Sequence, residues 1–349
     1  MARAALITGS PGAREAAIGK ELAARGWEVR RAVPGADGPA LAVAARGAEV
    51  VIHVGVRTSR DEAAATRAAT EARAAAAAAR AARASGARRF LLCSTAAVYG
   101  RPRHLPCAEG ELKRPRTASE RARWEAERAA WRAHRDGTPL VVLRPVVTYG
   151  PGLRGGAIRV LTLLALVHQR RRTVPILRRG PVAHLVHIAD VARAAAHLAE
   201  HPDDRDVVGR AFNVGDDAPL PLAEHLAAAL GALGYEAGRY LPWSPRLAAA
   251  LLWLVRHLPD RLLFEPANRR LAGAWRRYAA ASGASGALAP RVDREALHWM
   301  AADHYYDTAR LASLGWRPAY PSSGDGLAET VRTLLRLRML PPGAVDRPA

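Results

Sequence analysis

The sequence predicts an α/β protein built on a doubly wound parallel sheet. Two observations carry that prediction. Over the first half of the 349 residues, short apolar runs alternate with longer helical stretches, the pattern of repeated strand–helix–strand units. Between the first apolar run and the first helical stretch lies Thr8-Gly9-Ser10-Pro11-Gly12, a glycine-bearing turn placed where such a sheet receives an anionic ligand.

Ala4-Ala5-Leu6-Ile7 gives the first strand, and a helix then runs to Arg25-Gly26. A second strand is expected over 28–33 and a third at Val50-Val51-Ile52-His53-Val54. The stretch 61–85 is dominated by alanine, the best helix former, and Gly86 ends it. Phe90-Leu91-Leu92-Cys93 follows as a strand, 117–134 as a helix and Pro139-Leu140-Val141-Val142-Leu143 as another strand. Between 33 and 50 the chain is too short for a further strand with its connecting helix. The second half is less regular, with short strands at 185–188 and 211–214 and amphipathic helices at 222–233 and 246–257. Asp307 caps a helix ending at Leu314-Gly315, and a last helix covers 326–337. The segment 279–289, rich in Ala, Ser and Gly, is expected to be a flexible loop.

Lys+Arg 52 against Asp+Glu 32 gives a formal charge of +20, which points to an anionic ligand or surface. The basic residues are scattered, and the runs Arg170-Arg171-Arg172 and Arg178-Arg179 are short. No helix-turn-helix, zinc finger or RNA-binding sheet motif accompanies them, so nucleic acid is not the expected partner. The two cysteines, Cys93 and Cys107, show no metal-ligand spacing, and Cys93 is expected as a buried core thiol. The longest apolar run, 247–255, is far below the roughly 18 residues of a membrane span. With a strand starting almost at the N-terminus, the expected location is the reducing cytoplasm.

The glycine turn and several later segments resemble the extended short-chain dehydrogenase/reductase family, the NAD-dependent epimerases and dehydratases. Thr8-Gly9-Ser10-Pro11-Gly12 matches the start of its TGxxGxxG turn, and Ser94-Thr95-Ala96-Ala97-Val98-Tyr99-Gly100 its S-S/T-x-x-V-Y-G segment. Arg144 to Gly152 matches R-P-x-x-x-Y-G-P-G. Leu185-Val186-His187-Ile188-Ala189-Asp190-Val191-Ala192 matches F-V-H-V-x-D-V-A, and Phe212-Asn213-Val214-Gly215 matches Y-N-V-G. The resemblance covers nearly the whole chain. It implies a Rossmann-type sheet over 1–180, rejoined by the strands near 185–190 and 211–214, and a smaller C-terminal substrate lobe over 181–340 with a tail at 341–349. It also implies NAD or NADP as cofactor, held by Thr8, Gly9, Ser10, Gly12, Arg14 and Arg123.

Five working parts depart from that pattern. Glu15 stands at the third glycine, where its carboxylate would point toward the phosphates; unit charges about 4 Å apart repel by roughly 4 kcal/mol at an effective dielectric of 20. Arg14 and Arg3 are expected to offset part of this. The third strand is missing, and Val33-Pro34 stand where an acid would hold the ribose. Glu71 replaces an asparagine of the proton relay. Ser119 stands for the catalytic tyrosine and Arg123 for its lysine, in Pro115-Arg116-Thr117-Ala118-Ser119-Glu120-Arg121-Ala122-Arg123, with Glu127 at the trailing glutamate. Thr95, Ser119 and Arg123 are therefore the candidate catalytic residues. A serine hydroxyl is far less acidic than a phenol and much shorter, so the proton relay lacks its acid. His53, His104 and Tyr149 are further acids or bases nearby, each with an ordinary structural role available.

Three readings follow. The first is an enzyme with atypical chemistry on a small or lipid-like alcohol or ketone. The second is a non-catalytic relative that binds a ligand or partner protein. The third is a basic scaffold on membrane or nucleic acid. The insertion 243–303, with Leu247, Leu251, Leu254 and Leu258 followed by Arg261, Leu262, Leu263 and Phe264, resembles the 3β-hydroxysteroid dehydrogenase branch. It makes 246–264 the expected place for an apolar ligand or peripheral membrane contact. The family also leaves room for a homodimer.

Overall fold

A computed structural model describes residues 3–32, 38–57, 62–155, 157–167, 173–242, 244–284, 289–292 and 302–341. Val33 and Pro34, the run 170–172 and Trp243 lie outside the described residues. In chain order the elements begin with β1 (Ala4–Thr8), α1 (Ala13–Ala24), β2 (Glu28–Arg31), α2 (Gly38–Ala44), β3 (Val50–His53) and α3 (Ala64–Ala84). Next come β4 (Arg89–Cys93), a 3-10 turn (Ala96–Tyr99), α4 (Ala118–Arg135), β5 (Leu140–Pro145), β6 (Val147–Tyr149) and α5 (Ala157–Val167). They continue with β7 (Thr173–Leu177), β8 (Val182–Ala183), β9 (Leu185–His187), α6 (Ile188–Glu200), α7 (Asp204–Val207) and β10 (Arg210–Val214). The last are β11 (Leu220–Pro221), α8 (Leu222–Ala232), β12 (Glu236–Leu241), α9 (Pro245–His257), α10 (Asp260–Ala281), α11 (Ala309–Ser313) and α12 (Ser323–Arg336).

The chain divides into two compact units: Met1–Val146 with Ile188–Gly215 and Tyr306–Ala319, and Val147–His187 with Asp216–Tyr305 and Tyr320–Ala349. The sheet of the first unit has six strands in the order β10-β5-β4-β3-β1-β2, each pair parallel. Strands β1, β3, β4 and β5 are buried along their length, as near-continuous apolar runs must be when helices cover both faces. Among the described residues β2 is the edge strand and no third strand continues the sheet beyond it, as the short segment after it predicts. That segment is not bare, however: it holds the short helix α2. Chain order reverses between β1 and β3, the switch point at which open parallel sheets open a crevice at the strands' carboxyl ends.

Alanine shapes the packing here. Ala75, Ala78, Ala79 and Ala82 of α3 and Ala126, Ala130 and Ala133 of α4 share one core with Phe90, Leu92, Leu140 and Val142. α4 starts at a capping box: Thr117 Oγ1 accepts from the Glu120 N–H, and the Glu120 carboxylate accepts from the Thr117 N–H. Such a cap contributes about 1 kcal/mol and fixes where the helix begins.

The second unit pairs β6 with β9, β7 with β12 and β8 with β11. Tyr149, Ile158, Leu161, Leu230, Trp275, Leu327 and Val331 belong to its core. Two expectations change here. Residues 147–180, expected with the first unit, belong to the second, while Tyr306–Ala319 returns to the first. The supposed loop from 279 begins as the end of α10, whose helix runs to Ala281. The alanines there prolong a helix, and glycine and serine become frequent only afterwards. Among the described residues, no helix is long and apolar enough to cross a membrane.

Candidate functional site

The turn after β1 is shaped by contact with the turn after β3. Gly9 has φ +110°, and a Cβ there would lie 2.4 Å from the Gly55 carbonyl oxygen. The Ser10 N–H donates to that oxygen at 2.9 Å, Ser10 Oγ accepts from the Arg57 N–H at 2.7 Å, and Arg57 Nη2 donates to the Pro11 carbonyl at 3.3 Å. Two turns thus lock backbone to backbone, which only glycines at 9 and 55 permit. Thr8 is buried and exchanges a 2.9 Å hydrogen bond with His53 Nδ1, so it braces the strand ends.

Gly12 is extended, and nothing lies within 4 Å of where its Cβ would be. No side-chain cap closes the N-terminus of α1, so open space adjoins unclaimed helix amides. A pyrophosphate is the kind of group this cradle fits. Glu15, on the same turn of α1, does not stand alone. Its carboxylate is hydrogen-bonded to Arg31 Nε at the end of β2 and is only 13% exposed. A neighbouring guanidinium thus balances its charge. Arg3 does not supply the offset, since it pairs with Glu49 and lies over the Trp27 ring.

Past the carboxyl ends of β3 and β4 sits a charged cluster. Arg123 Nη1 pairs with Glu71 Oε2 at 3.3 Å, and its guanidinium rests against Gly55, where a Cβ would be 1.8 Å from Nη1. Glu71 is almost fully buried, and this burial raises its pKa against the pull of Arg123, the Val56 N–H and Arg14. Arg14, on the first turn of α1, lies within electrostatic range of this cluster. Burial, then the charge of Arg123, lowers its pKa, while Cys93 and Glu71 act in the opposite sense. His53 is pushed down to about 3 by burial and by Arg123, so it is a neutral ring, with no partner for Nε2 among the described residues. Cys93 is a buried core thiol as expected, pushed up to about 11 by burial.

Thr95 caps the 3-10 turn. Its Oγ1 accepts from the Ala97 N–H at 3.2 Å and donates at only 3.4 Å to the Pro145 carbonyl, so its proton is loosely held. Ser94, one residue earlier, donates to Glu127, which also holds Arg144 and Trp131. Arg144 in turn donates to Tyr99 Oη and the Glu109 carbonyl, and Tyr99 donates to Asn213. This buried network fixes the segment on which Thr95 stands. Ser119 is exposed on the first turn of α4 and makes no hydrogen bond among the described residues. The structure thus gathers Arg14, His53, Glu71 and Arg123. Sequence reasoning missed Gly55, Arg31 and Arg57, and nothing in their local spacing marks them. His104 pairs with Glu111 at the surface, and Tyr149 is a buried core residue of the second unit.

The family model for the NAD dependent epimerase/dehydratase family matches residues 5–215. No curated protein sequence matches the chain. Among solved structures, UDP-glucuronic acid 4-epimerase from Bacillus cereus, in complex with NAD, is 14% identical with a TM-score of 0.66. The match covers 96% of this chain and 99% of that one. The dTDP-glucose 4,6-dehydratase DesIV from Streptomyces venezuelae, with NAD and TYD bound, is 19% identical with a TM-score of 0.65, over 96% and 98%. The human epimerase family protein SDR39U1, with NADPH, is 18% identical with a TM-score of 0.63, over 95% and 100%. At these identities the likeness carries the fold alone.

Proposed function

Since this chain belongs to the NAD-dependent epimerase/dehydratase family, we propose that it binds an NAD(P) dinucleotide at the carboxyl ends of β1 and β3. On this reading it acts on a small or lipid-like alcohol or ketone with altered proton transfer. The observations that carry this reading are the open space at Gly12 and the Glu15–Arg31 pair, which balances the one carboxylate on that turn. The amides at the start of α1 hold the pyrophosphate, with Gly9 and Ser10 shaping the turn. Arg123 holds the hydroxyls of the inner ribose, a role its forked donors fit. Arg30 and Arg31 end β2 shortly before Val33-Pro34, the positions where an acid would hold a 2′-hydroxyl, which supports the 2′-phosphorylated dinucleotide. A bound nicotinamide supplies hydride exchange. Thr95 turns its loosely held proton toward the reacting oxygen, while Arg123 keeps Glu71 in place.

The test is a thermal-shift and fluorescence titration with NADH and NADPH up to millimolar concentration. Saturable binding is expected, tighter for NADPH; no binding of either overturns the reading. A second reading, ligand binding without turnover, is supported by Ser119, an exposed hydroxyl with no base or acid hydrogen-bonded to it. It calls for a ligand-dependent stability gain with no product formed from any alcohol or ketone tested. The second unit offers an apolar face: on α9, Leu247, Trp253 and Leu254 are exposed beside Arg246 and His257, and Leu262 of α10 is 66% exposed. Such a face suits the surface of an anionic bilayer. Flotation with anionic vesicles at low salt is expected to carry the protein up; an empty top fraction refutes it.

A further inference from the structure

Beside β10, at the sheet edge opposite β2, lies a pocket of about 420 Å³, within the range of small-molecule sites. Trp124 and Trp131 of α4 line it, about two turns apart and so on one helix face. Both are only partly buried. Large rings left half open to solvent in a concave site are surfaces that a flat ligand covers. Trp131 donates its indole N–H to Glu127 at 3.2 Å, whereas that of Trp124 makes no hydrogen bond among the described residues.

The charge around these rings is one-sided. Four cations line the pocket, Lys113, Arg144, Arg210 and Arg310, against one carboxylate, Glu109. Arg144 is matched by Glu127, and Arg310 lies 3.7 Å from Glu109 while donating to the Ala211 carbonyl. Lys113 donates to the Glu109 carbonyl at 2.8 Å and rests over the Tyr99 ring, but it forms no ion pair among the described residues. Burial, then the charge of Arg144, pushes it down to about 8. The exposed Arg210 side chain makes no hydrogen bond or ion pair among the described residues. An anion in the pocket would offset both charges. We propose that this pocket binds a small flat organic anion, an aromatic carboxylate in class, with its ring along Trp124 and Trp131 and its charge matched by Lys113 and Arg210. None of these residues belongs to the Gly12 cradle or to the Arg123–Glu71 pair, so occupancy needs no bound dinucleotide.

The experiment is equilibrium dialysis of the full chain with 2-naphthoate and with the uncharged 2-naphthamide, joined to acetylation of amines. The chain has only two lysines, Lys113 and the exposed Lys20, so mass spectrometry after N-hydroxysuccinimidyl acetate treatment reports on each separately. Saturable binding of 2-naphthoate is expected, with acetylation of Lys113 slowed about fivefold and that of Lys20 unchanged. The amide should bind about tenfold more weakly, for want of the charge-assisted contacts. Arg210→Gln, a change at an exposed side chain, should weaken 2-naphthoate about fivefold, and Trp124→Leu by a similar factor. No saturable binding, equal binding of the amide, binding without protection of Lys113, or unchanged affinity in both variants overturns the proposal. Displacement of 2-naphthoate by NADPH also overturns it, because the anion would then sit in the dinucleotide crevice.

Discussion

Replacing Arg31 by alanine isolates what the Glu15–Arg31 pair does for the phosphate cradle. With Arg31 gone, the Glu15 carboxylate, 13% exposed, is a lone charge on the first turn of α1. Unit charges about 4–6 Å apart interact by roughly 3–4 kcal/mol at an effective dielectric of 20. Arg31 is 56% exposed, so solvent screens much of this, and about 1–2 kcal/mol is a fair share. That corresponds to a loss of roughly 5- to 30-fold in dinucleotide affinity. Titration with NADH, which lacks a 2′-phosphate, avoids the second role proposed for Arg31. Adding Glu15→Ala to Arg31→Ala should restore most of the affinity, at a cost of about 0.3–1 kcal/mol in helix stability. If Arg31→Ala leaves NADH binding within twofold, or if Glu15→Ala does not rescue it, the carboxylate is not the obstacle described.

Other consequences can be checked by unfolding. Gly9→Ala forces a side chain onto φ +110° and against the Gly55 carbonyl, and a loss of about 2–4 kcal/mol is expected in urea titration. Gly326→Ala would place a methyl 2.0 Å from Tyr149 Oη, costing about 1–3 kcal/mol, and Tyr149→Phe should recover part of it. Glu127→Ala leaves the buried Arg144 without its carboxylate, and a loss of about 3–5 kcal/mol in thermal or urea unfolding is expected. His53 stays neutral in the fold down to about 3, whereas the unfolded chain protonates it near 6.5. Stability should therefore fall on acidification through that window, by up to about 1.4 kcal/mol per pH unit from this residue. Urea midpoints at pH 7 and pH 5 should show a shallower pH dependence for His53→Gln than for the unaltered protein.

The sheet was readable in the sequence because buried parallel strands are apolar throughout and the helices between them are rich in alanine. The edge position of β2 followed from chain length alone. What could not be read depends on contacts between distant residues. Glu15 and Arg31 sit on different elements, and no periodicity joins them. Gly55 is an ordinary loop glycine until it is seen that Gly9 and Arg123 both press against it. The boundary near 180 failed for a similar reason, since β6 pairs with β9 rather than with the main sheet. Motifs located Thr95 and Arg123, but the pairing of Arg123 with Glu71 across two helices is a fact of three dimensions.

The missing third strand also bears on how the protein behaves in concentrated solution. Among the described residues β2 ends the sheet with one side of its backbone unpaired, and such an edge can recruit strands from other molecules. This one is only four residues long, Glu28–Arg31, and three of them are charged. Any foreign strand laid along it would have to bury Glu28, Arg30 or Arg31 beside its own side chains. The same arginines that suit a phosphate thus also guard the open flank against intermolecular sheet growth.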